Sequence, residues 1–259
     1  MPPALQSLLL KLYAACRRGG LLGAGPGRRV FLAAYTAYKL HLEGRTLGML
    51  RPFVPPGAIV IDVGANIGVF ALRFARWAGP SGRVVAIEPE DRNAHELERS
   101  AARAQGAAPV TVVRGAAAER SGQLHLAVNA LHPGDHRLAE AGVPVAAHAL
   151  DDLAAAHGLA GVTLVKIDVQ GAELRVVQGA AALFRRWRPA LFVEVDDAAL
   201  AGQGASAAAL ETVLRDLGYA AFRPAQGAWV PVASLAEDRT ARVRQGYADY
   251  LLLADGRTP

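Results

Sequence analysis

Acidic side chains recur at the ends of short apolar segments in this 259-residue chain, and they are the residues best suited to chemistry. Asp62 lies near the end of segment 59–63 and precedes a glycine-containing turn over residues 64–68. Glu88 and Asp168 end two further segments of the same kind. Such segments predict buried parallel strands, and the carboxyl ends of parallel strands meet at one edge of a sheet. We therefore expect one binding site lined by carboxylates.

The turn after Asp62 resembles a dinucleotide-binding loop, but it differs at two positions. The pattern G-x-G-x-x-G would place glycine at positions where this chain has Asn66 and Val69. The middle glycine lets the backbone approach a pyrophosphate, and Asp62 would repel that group. Asp62 could instead pair with an ammonium or lie near a sulfonium, which makes it a candidate cofactor-binding residue. The turn therefore favours a ligand without phosphates.

Glu88 is placed to bind a ribose, because it follows Gly68 by 20 residues. An acidic residue at this distance can accept hydrogen bonds from ribose hydroxyls. Together with a turn that avoids phosphates, Glu88 indicates a cationic nucleoside, S-adenosylmethionine, rather than NAD. A nicotinamide-dependent oxidoreductase remains an alternative function, as does a non-catalytic binding protein on the same fold.

Four motifs together resemble the FkbM family of S-adenosylmethionine-dependent methyltransferases. They are Asp62-Val-Gly-Ala-Asn-Ile-Gly68, Ile87-Glu-Pro89, Val165-Lys-Ile-Asp-Val-Gln-Gly-Ala-Glu173 and Phe192-Val-Glu194. The third motif narrows the resemblance from the broad methyltransferase class to this family, over about residues 57–223. The resemblance implies an α/β protein with the Rossmann-like class I methyltransferase fold. That fold is a mostly parallel seven-stranded sheet with helices on both faces.

The resemblance also implies which residues contact the cofactor. Gly64, Asn66 and Gly68 would form the wall for its methionine and ribose parts. Glu88 would hold the ribose, and the turn Gly115–Ala116 would meet the adenine through its backbone. The product left in this pocket after methyl transfer would be S-adenosylhomocysteine.

Two residues are candidates for the base that removes a proton from the acceptor. Asp168 would lie where methyl donor and acceptor meet, and His136 lies in a polar loop, residues 129–137, that could fold over the site. Family members are described as O-methyltransferases of sugars, polyketides and other secondary metabolites, so the resemblance implies a small hydroxylated acceptor. Mg²⁺ held by Asp168 with Glu194 or Asp196 is a less favoured route, and no metal site is predicted.

Two regions differ in pattern and predict the domain organisation. Strand and helix patterns alternate from residue 58 onward, which predicts an α/β domain, and the resemblance implies that residues 51–259 form the methyltransferase domain. Residues 1–50 carry amphipathic helical patterns and predict an N-terminal helical cap. The apolar run 5–15 is shorter than the roughly 20 residues of a membrane span, and its positive charges follow it, unlike those of a secretory signal. We therefore expect a cytoplasmic protein without a membrane span.

Composition limits the classes of partner. The formal net charge is +5, and three of the 28 basic residues are lysines, Lys11, Lys39 and Lys166. The arginines are scattered and are not interleaved with aromatic residues, so we expect no nucleic-acid partner. The single cysteine, Cys16, excludes an intramolecular disulfide and a cysteine-built zinc site. Helices outside the core are candidates for a homodimer contact.

Overall fold

The computed structural model describes residues 44–129, 136–238 and 246–259. The predicted N-terminal cap therefore lies outside the described residues, except for its last seven positions. Residues 44–49 are helical, and Leu47 and Leu50 are buried in the same apolar cluster as Phe74 of the main domain. The end of the predicted cap thus packs in the core of the domain that follows it.

The helices and strands follow the alternation predicted from residue 58 onward. The strands, in chain order, are β1 (Ile59–Val63), β2 (Arg83–Glu88), β3 (Val110–Arg114), β4 (Ala116–Ala117), β5 (Gly122–Ala127), β6 (Arg137–Ala139), β7 (Val143–His148), β8 (Leu164–Ile167), β9 (Ala190–Asp196), β10 (Tyr219–Ala225), β11 (Ala228–Val232) and β12 (Tyr247–Ala254). The helices from residue 69 onward are α1 (Val69–Ala78), α2 (Asp91–Ala101), α3 (Leu150–Ala156), α4 (Glu173–Gln178), α5 (Ala181–Trp187), α6 (Asp197–Gly202) and α7 (Ala207–Asp216).

The central sheet has the strand order β11-β10-β12-β9-β8-β1-β2-β3. Strands β3, β2, β1, β8 and β9 pair in parallel, and β12 runs antiparallel between β9 and β10. The mostly parallel α/β sheet is confirmed, but within the described residues it contains eight strands rather than the predicted seven. The extra strand is β11, which pairs with β10 because Gln226 and Gly227 both adopt positive φ and form a tight hairpin turn.

Helices cover both faces of the central sheet, as predicted. Successive side chains of a strand point to opposite faces. Ile61 and Val63 therefore pack in the apolar cluster that includes residues of α3 to α7, whereas Val60 packs in the cluster that includes residues of α1 and α2. This burial on two faces explains why the parallel strands are almost continuously apolar.

A second, four-stranded sheet lies between β3 and β8 in the chain. Its order is β4-β7-β5-β6, and β5 pairs antiparallel with both β7 and β6. No helix within residues 44–129, 136–238 or 246–259 is long and apolar enough to cross a membrane.

Candidate active site

A cavity of about 390 Å³ opens at the carboxyl ends of the parallel strands. The turns after β1, β2, β3 and β8 contribute to its walls, together with β6 and the ends of β9 and β12. The predicted site residues that line the cavity are Gly64, Asn66, Glu88, Gly115, Ala116, His136 and Asp168. The structure therefore brings these residues to one site, because parallel strands bring their carboxyl ends to one edge of the sheet.

The turn after β1 places Asn66 beside the carboxylate of Glu88, at the end of β2. Asn66 adopts a left-handed conformation (φ 51°), which asparagine tolerates better than most residues. Its side-chain Oδ1 accepts a hydrogen bond from the backbone N–H of Ile67 at 2.7 Å. Its own backbone N–H donates to Oε2 of Glu88 at 2.8 Å. This turn therefore presents a backbone donor to a carboxylate, where a dinucleotide loop would present one to a phosphate.

Glu88 is a buried carboxylate held by three donors. Besides Asn66, the backbone N–H of Glu90 donates to Oε1 at 2.9 Å, and Asn93 Nδ2 donates to Oε1 at 3.4 Å. Burial raises the pKa of Glu88 to about 7, although these hydrogen bonds favour its ionised form and oppose that shift. The carboxyl group is thus fixed in position and changes its charge near neutral pH.

The turn after β3 leads from the central sheet into the second sheet. Gly115 adopts a φ of 143°, and its backbone N–H donates to the carbonyl oxygen of Glu88 at 3.1 Å. A Cβ at this position would lie 2.6 Å from the carbonyl oxygen of Ala146. Glycine is therefore needed for the chain to pass between the two sheets while it lines the cavity.

Gly68 does not line the cavity. It lies just before α1 with a φ of 91°, and a Cβ there would lie 2.2 Å from Cδ1 of Leu97. A turn conformation and close helix packing thus explain this glycine, whereas its predicted contact with the cofactor stays a prediction.

Asp62 also lies outside the cavity wall, fully buried within β1. Lys166 Nζ, on the neighbouring strand β8, lies 3.3 Å from its Oδ1. Burial raises the pKa of Asp62, and the positive charge of Lys166 opposes that shift. The sequence predicts an ammonium or sulfonium beside Asp62, and the ammonium in the structure belongs to this lysine.

Lys166 lies between Asp62 and the cavity and lines the cavity wall. It was not predicted as a site residue from the sequence. Its Nζ lies 3.3 Å from Oδ2 of Asp168 and 5.0 Å from the ring centroid of Phe70. It also donates to the carbonyl oxygen of Gly64 at 3.4 Å. The available signal was a rare lysine inside a buried strand, because a buried charge requires a charged or polar partner.

Glu173 stabilises the loop after Asp168 through hydrogen bonds to its backbone. This buried side chain accepts, at Oε1, hydrogen bonds from the backbone N–H groups of Val169 (3.3 Å) and Gly171 (3.1 Å). Burial raises its pKa to about 7. Gln170 between them has positive φ and donates to Oε1 of Glu194 at 3.3 Å. The loop that carries Asp168 is therefore fixed at several points.

His136 lines the cavity beside β6, and residues 130–135 of its predicted loop lie outside the described residues. Its Nδ1 accepts a hydrogen bond from the backbone N–H of Asn129 at 3.1 Å. A neutral imidazole carries one proton, and an accepting Nδ1 requires that proton to lie on Nε2. In this arrangement, the neutral ring donates a hydrogen bond rather than accepting a proton.

Two further carboxylates line the cavity where strand β9 ends. Glu194 and Asp196 come from the end of β9, beside Tyr247 of β12. Asp196 also caps α6, because its Oδ1 accepts from the backbone N–H groups of Ala198 and Ala199 at 2.8 and 3.0 Å. Within the described ranges, no three histidine, cysteine or acidic side chains form a group that could hold a metal ion.

Comparison with known proteins gives a family for this arrangement. A family model described as the methyltransferase FkbM domain matches residues 62–221. Protein-L-isoaspartate O-methyltransferase from Triticum aestivum is 38% identical over 68 residues, which are 25% of this chain and 30% of that protein. The curated relative is therefore matched over less than a third of its own length.

Solved structures give the fold. An rRNA-methylase candidate from Clostridium thermocellum is 12% identical with a TM-score of 0.50, over 83% of this chain and 96% of that chain. Methyltransferase FkbM from Methylobacillus flagellatus KT is 18% identical with a TM-score of 0.48, over 76% of this chain and 44% of that chain. The Rossmann-like class I methyltransferase fold is confirmed, and the chain belongs to the methyltransferase FkbM domain family.

Proposed function

We propose that this protein is an S-adenosylmethionine-dependent methyltransferase that methylates a hydroxyl group of a small molecule, such as a sugar, a polyketide or another secondary metabolite. The observation that carries the proposal is Glu88, a buried carboxylate fixed in the cavity wall by backbone donors. The family assignment supports methyl transfer, and the similarity to an O-methyltransferase from Triticum aestivum supports oxygen as the acceptor atom.

The cavity fits an adenosyl ligand in size and in chemistry. Its volume of about 390 Å³ is within the range of small-molecule sites. Glu88 would accept hydrogen bonds from the ribose hydroxyls, and the backbone at Gly115–Ala116 would meet the adenine. Carboxylates further along the wall, Asp168 among them, suit a cationic ligand. When bound, S-adenosylmethionine supplies a methyl group on a positively charged sulfur.

Asp168 is the residue that we assign to proton removal from the acceptor. It lines the cavity beside Lys166, whose positive charge stabilises an ionised carboxylate, and an ionised carboxylate can accept a hydroxyl proton. His136 offers a donor from Nε2 while its Nδ1 accepts from Asn129, so we assign it to positioning the acceptor. A general base contributes about 10²- to 10⁴-fold to the rate, and alignment of the reactants contributes further.

Titration calorimetry with S-adenosylhomocysteine tests the pocket. We expect the wild-type protein to bind it and Glu88→Ala to bind at least about tenfold more weakly, because hydrogen bonds to a charged group are lost. Glu140→Ala, which removes an exposed carboxylate outside the cavity wall, is the matched control and should bind as the wild type does. Absence of binding, or equal binding by Glu88→Ala, would contradict the proposal, and binding of NADH instead would favour an oxidoreductase.

Methyl transfer itself is tested with labelled S-adenosylmethionine and a panel of hydroxylated small molecules. We expect label to appear in at least one acceptor and Asp168→Asn to reduce the rate by about 10²-fold or more. A protein that binds the cofactor product but labels no acceptor in a broad panel would favour a non-catalytic binding protein.

A further inference from the structure

Three ionisable side chains, Asp62, Lys166 and Asp168, form a triad that leads from the centre of the sheet to the cavity wall. Lys166 Nζ lies 3.3 Å from a carboxylate oxygen of each aspartate. Asp62 is fully buried and does not line the cavity, whereas the Asp168 side chain is 24% exposed and does. Lys166 therefore links Asp62, which a ligand in the cavity would not contact, to Asp168, which it would contact.

The strand order places the triad next to the part of the cavity that a sulfonium would occupy. The turn after β3, the end of β2, β1 and the end of β8 follow one another across the sheet. Neighbouring strands lie about 4.8 Å apart, so Glu88 at the end of β2 and Asp168 after β8 are separated by roughly 10 Å. An adenosyl ligand with its adenine at Gly115–Ala116 and its ribose at Glu88 therefore extends its sulfur toward Asp168.

We propose that the Asp62–Lys166–Asp168 triad acts as a unit with one net negative charge, by which the site favours the cationic methyl donor over the neutral product. This inference rests on the proposed function. Asp168 faces the ligand, Lys166 is the positioning residue that holds Asp168, and Asp62 supplies the second negative charge that leaves the triad negative overall. In a buried site a unit charge acts over several ångströms, because little water screens it.

The proposal has a consequence that contact with the ligand alone would not produce. Removal of the Asp62 charge leaves Lys166 and Asp168, whose charges cancel, although Asp62 does not line the cavity. Removal of Asp62 and Lys166 together leaves only Asp168 and restores a net charge of −1. The same preference for a cation should therefore be lost in the single variant and regained in the double variant.

The probes are S-adenosylhomocysteine, which is neutral at sulfur, and sinefungin, an analogue with a protonated amine in place of the methylated sulfonium. The quantity measured by calorimetry is the ratio of the Kd for S-adenosylhomocysteine to the Kd for sinefungin. Because both ligands share the adenosyl and amino-acid parts, a general loss of folded pocket changes both Kd values and leaves the ratio unchanged.

We expect Asp62→Asn to lower this ratio about tenfold relative to the wild type. The double variant Asp62→Asn/Lys166→Met should return the ratio to within about twofold of the wild type. Replacement of a buried ion pair by an uncharged pair is often neutral for stability, so the double variant is expected to fold. Asp168→Asn also leaves a neutral triad and should lower the ratio, and addition of Lys166→Met to it should raise the ratio again, which the loss of a direct contact alone would not do. This pair of variants carries the test if Asp62→Asn does not fold.

Asp216→Asn is the matched control, because it removes one exposed carboxylate at the end of α7 and should leave the ratio unchanged. An unchanged ratio in Asp62→Asn would mean that Asp62 carries no charge in the folded protein and would overturn the proposal. A ratio that stays low in the double variant would also overturn it. If the wild-type protein binds neither ligand, the proposed function itself fails, and this outcome is distinct from binding with an unchanged ratio.

Discussion

Glu88 combines a fixed orientation with a pKa near neutral pH. Its two carboxylate oxygens accept backbone hydrogen bonds from both sides, from Asn66 and from Glu90, so its orientation does not depend on a ligand. Burial still dominates its titration and raises its pKa to about 7. An ionised carboxylate can accept from two ribose hydroxyls, whereas a protonated one has lost part of that capacity.

Binding of S-adenosylhomocysteine should therefore strengthen as the pH rises from 6 to 8. With a pKa of about 7, the ionised fraction of Glu88 rises about tenfold over this range, and we expect the Kd to fall by nearly the same factor. Calorimetry at several pH values measures this change. Glu88→Gln should show a flat profile, whereas Glu173→Gln should keep the wild-type slope, and a wild-type Kd independent of pH would argue against ribose recognition by an ionised Glu88.

At the scale of elements, the cavity depends on two turns that touch. Gly64, after β1, adopts a φ of 74°, and a Cβ there would lie 1.9 Å from the carbonyl oxygen of Asp168, after β8. This contact places the glycine turn of one strand against the acidic turn of the next. A side chain at position 64 would separate the two turns and move Asp168.

Gly64→Ala should destabilise the protein and weaken ligand binding. Gly79→Ala is the matched control, because Gly79 also has positive φ (65°) but no atom lies within 4 Å of its Cβ position. Gly79 has φ 65° and ψ −179°, a conformation essentially restricted to glycine, so we expect Gly79→Ala to cost about 1–3 kcal/mol in unfolding free energy and to leave the Kd for S-adenosylhomocysteine unchanged. Gly64→Ala should cost about 1–3 kcal/mol more and weaken binding at least about tenfold. Urea unfolding and calorimetry measure both effects, and equal costs for the two variants would show that the turns can separate freely.

At the scale of the whole molecule, charge is distributed unevenly between surface and site. The chain is basic overall, yet the cavity is lined by Glu88, Asp168, Glu194 and Asp196 against Lys166 and Arg137. Glu173 adds a further buried carboxyl group beneath the site. Burial of Glu88 and Glu173 lowers the stability of the fold when these two carboxyl groups ionise.

The free energy of unfolding should consequently fall as the pH rises from 5 to 8 in the absence of ligand. Glu88 and Glu173 each have a folded-state pKa of about 7 against an ordinary value of 4.5, so the folded protein binds more protons than the unfolded chain within this range. Each group should contribute a loss of up to about 3 kcal/mol. Urea unfolding at fixed pH steps measures the slope. The double variant Glu88→Gln/Glu173→Gln should remove most of it, and a slope that survives in this variant would assign the effect to other groups.

The local pattern of this chain was enough to predict the alternating strands, the edge of the sheet at which the cavity lies and seven of the residues that line it. These features follow from the local sequence pattern, because short apolar runs form buried strands and turn-forming residues follow them. The extra strand β11 was not predicted. Its residues Ala228–Val232 are apolar but include Pro231, and a proline argues against a strand unless the strand lies at the edge of a sheet, which only the tertiary structure shows.

Only the tertiary structure decided which charges meet. Asp62 and Lys166 lie far apart in the sequence, and the parallel pairing of β1 with β8 sets them side by side. The sequence predicts that Asp62 contacts the cofactor, whereas in the structure this pairing places it in an ion pair with Lys166. Lys166, which was not predicted as a site residue, lines the cavity. The sequence by itself determined which residue types end the strands. The order in which the strands assemble decided their partners, because burial forces each charge to find one within a few ångströms.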